Sequence, residues 1–262
     1  DIVRGIRWVT ENRSRYGIRI LNISLGSDID ESYRDSAIDQ AAEDAVKAGI
    51  VVVVAAGNSG CSDANAIRPP GNSPSVLTVG GYDDSNSLDP ERLGLYCSSY
   101  GATIDGFHKP EILAPAIWVA APVLPGSENY LKAELLSELS STPAYLIEQR
   151  LKEAAIALQP PAEVLSGGAR AIFAWVSQEL EENKFVGTHY MHVDGTSFAA
   201  PITSSIIARM LEVNPSLDPA TIKNLLISNA TPIPGAAASR QGFGVVSLTR
   251  AEEAAEREIH SH

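Results

Sequence analysis

An apolar run of β-branched residues constrains the fold more than any other feature of the sequence. Residues 50–57 read IVVVVAAG, with four successive valines. A strand that is apolar on both faces is typical of a parallel sheet covered by helices on both sides. The preceding stretch, Ser32–Ala48, is predicted to be a helix, with alanines along one side and Gly49 directly after its end. Strand and helix together predict an α/β fold.

Further strands extend this pattern along the chain. We predict them at Ile18–Leu25, at Ser75–Gly81 and from Glu111 through EILAPAIWVAA, and the first dozen residues have the spacing of the end of a helix. Strands that alternate with helices favour a doubly wound parallel sheet with helices on both faces. We predict that fold class for the chain.

The middle of the chain has a different, purely helical character. Residues 124–186 are predicted to be a helical insertion. Its three helices are expected at Ser127–Leu139, from a Thr142–Pro143 start to just before Pro160, and at Ala169–Glu182. The leucines along the first of them are interpreted as packing residues, because an apolar stripe at helical spacing faces a core.

The C-terminal part is also predicted to be mostly helical. A long apolar helix is expected at Phe198–Met210, and a second, Ala220–Asn229, after the cap formed by Asp218 and Pro219. The glutamate-rich last dozen residues are predicted to be a frayed charged helix. We interpret the histidines at 260 and 262 as a solvated tail, not as metal ligands.

Composition narrows the classes of partner. The 262 residues carry a formal net charge of −12 and no basic cluster, so a nucleic-acid partner is not expected. No run of about 18 apolar residues occurs, so no membrane span is predicted. The two cysteines, Cys61 and Cys97, can form one disulfide or remain free thiols, and the sequence leaves both states open.

The stretch HVDGTSFAAP, residues 192–201, places a hydroxyl pair at the start of a predicted helix. Ser197 can be a helix cap, since serine oxygens accept from free backbone N–H groups there. It can also be a nucleophile for acyl transfer, which needs a hydroxyl and donors aimed at the developing oxyanion. Asn58 is the candidate side-chain donor because it follows a strand at the edge where α/β sheets bind ligands. Alone, Asn58 would be an ordinary turn residue.

Taken together, these segments resemble the subtilisin-like serine proteases, the subtilases. GTSFAAP (195–201) is similar to the family's nucleophile motif, with Phe198 where methionine is commoner, and AAGNSG (55–60) to the segment that bears the oxyanion amide. ILNISLG (20–26) resembles the substrate-binding strand. NSPSVLTVGG, KPEILAP and the closing strand QGFGVV (241–246) resemble other family segments, and all occur in the family's order.

The resemblance implies a reaction and a site. Peptide bonds would be hydrolysed through an acyl-enzyme on Ser197, with Asn58 as an oxyanion donor. Substrate would lie as an added strand along one side of the cleft. The primary specificity pocket would lie between this strand and the Asn58 segment. The substrate-binding residues implied are Ser24, Leu25, Gly26, Ala55, Ala56 and Gly57.

The sequence departs from the family at its start. The family's aspartate and histidine motifs precede the substrate-binding strand, where this chain has only residues 1–17, and its first histidine is His108. We therefore expect residues 1–262 to be the C-terminal portion of a longer catalytic domain, with the triad Asp and His upstream, and inactive alone. Strands expected beside Ile20–Leu25 would also be missing, and an uncovered strand edge favours association with other chains.

Other interpretations stay open on the sequence alone. A non-catalytic subtilisin-like peptide-binding or scaffold domain is one, and a sedolisin-type carboxyl peptidase, which has Asp at the oxyanion position, is another. The stretch HYMHVD superficially resembles a metal-ligand spacing, but a zinc site at His189, His192 and Asp194 is disfavoured because two histidines and an aspartate in a loop before a helix are usually an ordinary loop. No metal ligands are predicted. The resemblance allows a calcium ion, but the acidic segment Tyr82–Asp89 is interpreted as a solvated loop. The resemblance also favours a secreted or extracytoplasmic location.

Overall fold

The computed structural model describes residues 1–62, 67–87 and 89–260. It consists of two compact units, one formed by Asp1–Ile117 with Asp194–His262 and the other by Trp118–Val193. The second unit extends beyond residues 124–186 at both ends. The histidine at 262 lies outside the described residues. No described helix is both long and apolar enough to cross a bilayer.

The regular elements are as follows, in chain order. The first unit begins with α1 (Ile2–Tyr16), β1 (Ile20–Ile23), α2 (Ala37–Lys47), β2 (Val51–Ala55), β3 (Leu77–Asp83), β4 (Gly94–Leu95), β5 (Gly101–Ala102), β6 (His108–Lys109) and β7 (Ile112–Pro115). The second unit contains β8 (Val119–Pro122), α3 (Glu128–Ser141), α4 (Ile147–Leu158), α5 (Ala162–Ser166), α6 (Gly168–Glu182) and β9 (Tyr190–Val193). The first unit then ends with α7 (Thr196–Val213), α8 (Pro219–Ser228), α9 (Ala238–Gln241) and α10 (Leu248–Ile259).

The predicted fold class is confirmed, and β2 shows why. Val51 and Val53 pack into a core cluster with α7, whereas Val52 and Val54 pack into a second cluster with α1 and α2. All four valines are buried. Because successive side chains of a strand point to opposite faces, an all-valine strand must be covered on both sides. The sheet is therefore enclosed between two helical layers.

The sheet is parallel along β1, β2, β3 and β7. β1 pairs with β2, β2 with β3 and β3 with β7, all in parallel, and only β4 joins in the antiparallel sense. Among the described residues β1 pairs with β2 alone, so β1 is an edge strand. Parallel pairing brings the carboxyl ends of β1 and β2 to the same edge.

Several predicted boundaries were wrong at the ends of elements. The first strand is shorter than Ile18–Leu25, because the chain leaves the sheet after Ile23. The second helix begins at Ala37 instead of Ser32, with Ser36 as the N-cap whose hydroxyl accepts from the Asp39 N–H. Sequence QGFGVV forms isolated bridges through Val245 rather than a strand.

The segment EILAPAIWVAA was predicted as one strand and is two. β7 belongs to the parallel sheet, whereas β8 pairs in the antiparallel sense with β9 in the second unit. Trp118, between the two strands, has a φ of 57°. A residue in the left-handed conformation interrupts an extended strand. Tryptophan commonly occurs in strands, so the residue type at position 118 gave no sign of this turn.

The predicted start of a helix at Thr142–Pro143 was also wrong. Thr142 instead ends α3, with its hydroxyl donating to the Glu138 carbonyl at 2.8 Å. Pro143 then opens a turn closed by the Leu146 N–H, and α4 begins at Ile147. A threonine before a proline fits the end of one helix as well as the start of another. Helix α5 was not predicted, because a five-residue helix has too little periodicity to detect.

The last helix is packed instead of frayed. Three alanines of α10, Ala251, Ala254 and Ala255, are buried. Asn214 also donates its side-chain amide to the Ala255 carbonyl at 3.2 Å. The glutamates lie on the outer face, which is why the sequence looked solvated. The Asp218–Pro219 start of α8 is observed as predicted, with the Asp218 carboxylate accepting from the Thr221 N–H.

Asp39 gives the fold a pH dependence. Its side chain is buried on α2, and burial, assisted by the carboxylates of Glu31 and Glu43, raises its pKa to about 7. An unfolded aspartate has a pKa of about 3.9, so the folded state holds this proton more tightly. Stability contributed by the neutral carboxyl group is therefore lost as the pH rises from about 4 to about 7.

We therefore expect Asp39→Asn to flatten the pH profile of stability. The loss in free energy of unfolding between pH 5 and pH 8 should be smaller in the variant by about 2 kcal/mol. Urea unfolding at both pH values measures it. Asp44→Asn, at an exposed position of the same helix, is the control and should leave the profile unchanged. Identical profiles for Asp39→Asn and the unmodified protein would contradict the assignment.

Candidate active site

Ser197 lies in the first turn of α7, and it is not the helix cap. The N-cap is Gly195, with a φ of 136° that favours glycine, and the side-chain acceptor at this helix end is the Oδ1 of Asn58, which accepts from the Thr196 N–H. The Ser197 hydroxyl makes no hydrogen bond within the described residues. The first N–H groups of a helix have no intrahelical partner, so the Ser197 N–H at this end of α7 is available to a ligand, and Ser197 lines the cleft described below.

Small residues hold this end of α7 close to the sheet. Ala199 and Ala200 are fully buried in the cluster that contains Val51 and Val53. Side chains of this size let the helix approach the strands, which places the start of α7 beside the loop that follows β2. The AA of the motif GTSFAAP therefore serves packing, and the serine before it faces outward.

Asn58 is tied directly to the start of α7. Its Oδ1 accepts from the Thr196 N–H at 2.9 Å and from the Thr196 hydroxyl at 3.0 Å. The Thr196 Oγ1 in turn accepts from the Gly57 N–H at 3.1 Å. These bonds occupy the carbonyl oxygen of the carboxamide. Its Nδ2 makes no hydrogen bond within the described residues, and both amide protons can therefore be donated to a ligand.

The segment after β1 is tied to α7 by serine and asparagine side chains. The Ser24 hydroxyl donates to the Ser197 carbonyl at 2.9 Å and accepts from the Asn22 amide at 3.0 Å. The Ser204 hydroxyl, further along α7, donates to the Asn22 Oδ1 at 3.2 Å. The strand end is thereby fixed beside Ser197.

One cleft of about 470 Å³ joins these elements. Every site residue predicted from the sequence lies on its wall: Ser197, Asn58, Ser24, Leu25, Gly26, Ala55, Ala56 and Gly57. The strand-end segment lines one side, the Asn58 loop another, and the start of α7 the third. The structure thus brings together three segments that are remote in sequence.

The cleft also contains residues that the sequence did not single out. Thr196 orients Asn58, and its place in the GTS motif was the available signal. Ser99 accepts from the Ser59 N–H at 3.3 Å and comes from a distant loop with no local signal. Arg68 lines the cleft and pairs with the exposed Asp30 at 3.2 Å.

None of the described histidines lines the cleft. His108 is exposed on β6, His189 stacks on Tyr130, and His192 packs edge-on against Trp118. Within residues 1–62, 67–87 and 89–260, no cluster of three or more His, Cys, Asp or Glu side chains could hold a metal ion.

In the loop considered for calcium, Tyr82–Asp89, the carboxylates accept hydrogen bonds from backbone N–H groups two residues further along the chain. The Asp83 carboxylate accepts from the Ser85 N–H and that of Asp84 from the Asn86 N–H, while Asp89 accepts from the Glu91 N–H at a 3-10 turn. These contacts are turn and cap contacts. Position 88 of the loop lies outside the described residues.

The fold and site define a subtilisin-like α/β architecture, with a serine at a helix start and a carboxamide at the carboxyl edge of a parallel sheet. The model described as the subtilase family matches residues 1–245, and the chain belongs to that family. Serine protease AprX of Bacillus subtilis (strain 168) is 32% identical over 234 residues, which are 86% of this chain and 41% of AprX.

Two further similarities agree with this assignment. Subtilisin DY of Bacillus licheniformis is 38% identical over 119 residues, 45% of this chain and 36% of the relative. The crystal structure of fervidolysin from Fervidobacterium pennivorans, a keratinolytic enzyme related to subtilisin, superposes with a TM-score of 0.59 at 21% identity, covering 96% of this chain and 28% of fervidolysin. The chain spans less than half the length of AprX and of subtilisin DY.

Proposed function

We propose that the protein is a serine endopeptidase that hydrolyses peptide bonds through an acyl-enzyme on Ser197. The observation that carries the proposal is the 2.9 Å bond between the Thr196 N–H and the Asn58 Oδ1. It holds the Asn58 carboxamide, whose N–H groups make no hydrogen bond to any described residue, beside the Ser197 hydroxyl and N–H. Two donors beside one nucleophile are the arrangement that acyl transfer requires.

The proposed reaction has two steps. The Ser197 Oγ attacks the scissile carbonyl carbon and gives its proton to a base, while the Asn58 Nδ2–H and the Ser197 N–H stabilise the oxyanion. The C–N bond then breaks, and the amine leaves with the proton from the base. Water releases the acyl group by the reverse route and regenerates the hydroxyl.

The base and its supporting acid come, in this proposal, from outside these 262 residues. The support is that the described residues on the cleft wall include no histidine, and a base must come within hydrogen-bond reach of the nucleophile. Residues 1–262 alone would then be inactive, and the activity would belong to the whole protein.

The substrate is proposed to be an extended peptide that adds to the segment after β1. Leu25 and Gly26 follow the strand end, are exposed, and make no backbone hydrogen bonds within the described residues. Their backbone groups are therefore available to a peptide in strand addition. A secreted or extracytoplasmic location is part of the proposal, supported by the disulfide described below, since disulfides persist in oxidising compartments.

A fluorophosphonate probe tests the proposal on the whole protein. The expected result is covalent labelling at Ser197, located by mass spectrometry, together with hydrolysis of a peptide substrate. Labelling should disappear after heat unfolding, because an activated serine depends on the folded site. A folded protein that binds peptides but is neither labelled nor hydrolytic would instead be a non-catalytic binding or scaffold domain.

A further inference from the structure

A disulfide lies next to the loop that carries Asn58. Cys61 is bonded to Cys97, with their Cα atoms 5.1 Å apart and a sequence separation of 36. The sequence had left this pairing open. Cys61 follows Asn58 by three positions, and Cys97 precedes the cleft residue Ser99 by two.

Backbone bonds align the two segments on either side of Asn58. The Ser99 N–H donates to the Gly57 carbonyl at 2.8 Å, and the Gly60 N–H donates to the Cys97 carbonyl at 3.0 Å. A Cβ atom at Gly60 would lie 1.8 Å from the Ser98 carbonyl oxygen, so only glycine permits this approach. The Cys61–Cys97 disulfide joins the same two segments covalently, directly after Gly60.

The partner segment is itself fixed to the sheet. The Gly81 N–H, on β3, donates to the Ser98 hydroxyl at 2.6 Å, and the Tyr96 N–H donates to the Gly81 carbonyl at 3.1 Å. The disulfide therefore connects the Asn58 loop, through residues 96–99, to a buried strand. Thr196 holds Asn58 from one side of the cleft, and this connection holds its loop from the other.

We propose that the Cys61–Cys97 disulfide positions Asn58 for catalysis and makes acyl transfer sensitive to reduction. In the oxidised protein the loop 57–62 is held against residues 96–99, and the Asn58 amide stays aimed at the oxyanion. In the reduced protein the loop moves and the donor is misplaced for part of the time. This inference rests on the proposed peptidase function.

Reduction would proceed by exchange with a dithiol. Cys61 is exposed and Cys97 half-buried, so an external thiolate can attack the Cys61 sulfur. The S–S bond breaks, a mixed disulfide forms, and Cys97 leaves as a thiolate that takes up a proton. The second thiol of the reductant then displaces Cys61, so two electrons pass to the cysteines and the reductant becomes a disulfide.

The expected effect is a change in kcat. Loss of an oxyanion donor in subtilisin costs about 10²–10³-fold in kcat. Because Thr196 still binds Asn58 after reduction, we expect a smaller decrease, about tenfold, with KM changed by less than about twofold. A donor that acts only in the transition state alters kcat and leaves substrate binding intact.

The experiment measures hydrolysis of one peptide substrate by the whole protein and by its Cys61→Ser/Cys97→Ser variant, each before and after treatment with a dithiol. All measurements are made well below the unfolding temperature of each form. Reduction should lower kcat of the unmodified protein, re-oxidation should restore it, and the double variant should not respond. Hydrogen exchange supplies a second measurement: the Ser59 and Gly60 amides should exchange at least about tenfold faster after reduction, while the amides of α7 do not change.

Two outcomes would overturn the inference and differ in cause. If the reduced, folded protein keeps its full kcat or the loop amides keep their protection, the disulfide does not position Asn58, although the peptidase function stands. If the oxidised protein shows no hydrolysis, the proposed function is wrong and the inference fails with it.

Discussion

Replacement of Ser197 by alanine should abolish peptide hydrolysis by the whole protein. In subtilisin, a relative of this chain, loss of the nucleophilic serine lowers kcat by about 10⁶-fold, and we expect a loss of that order here. The physical reason is that the proposed mechanism forms the acyl bond on the Ser197 hydroxyl, and no other described serine on the cleft wall lies in the first turn of a helix. Steady-state hydrolysis of a peptide substrate measures the effect.

Ser205→Ala is the matched control for this substitution. Ser205 lies on the same helix and is exposed, outside the cleft wall. Its replacement should leave kcat and KM unchanged. Comparable loss of activity in both variants would indicate damage to α7, and full activity of Ser197→Ala would remove Ser197 from the reaction.

Substitution of Asn58 by aspartate should lower kcat by about 10²–10³-fold, the range found for the oxyanion amide of subtilisin. An aspartate retains an oxygen that accepts from the Thr196 N–H and hydroxyl, so the loop stays attached to α7. It replaces the two amide protons with a negative charge. The oxyanion therefore loses a donor and meets a like charge, while KM should change by less than about twofold.

Two comparisons show whether the lost donor causes this effect. Asn86→Asp makes the same change in charge at an exposed turn and should leave the kinetics unaltered. Thr196→Ser keeps the hydroxyl that binds Asn58 and should retain most of the activity. An Asn58→Asp variant with unchanged kcat would show that the carboxamide does not contact the oxyanion.

The sequence predicted the elements that are dominated by one periodicity. The valines of β2 indicated a strand buried on both faces, and the alanines of α7 indicated a helix packed against a sheet. The predicted site residues were found together because motif order, combined with the parallel sheet, brings strand ends to one edge. The positions of Ser197 and Asn58 follow from these two facts.

The remaining features depend on contacts between segments that are remote in sequence. Neither the turn at Trp118 nor the end of α3 at Thr142 has an unambiguous local signal, because the same residues suit a strand or a helix start. The burial of α10 depends on the surface that its alanines meet. The Cys61–Cys97 pairing requires the approach of the Gly60 backbone to Ser98, which no spacing of cysteines reveals.

The most direct test of the proposed site is the crystal structure of the whole protein after reaction with a peptidyl phosphonate. We expect phosphorus bonded to the Ser197 Oγ and one phosphoryl oxygen within about 2.7–3.1 Å of both the Asn58 Nδ2 and the Ser197 N. A phosphonate bonded to another residue, or a phosphoryl oxygen turned away from Asn58, would contradict it.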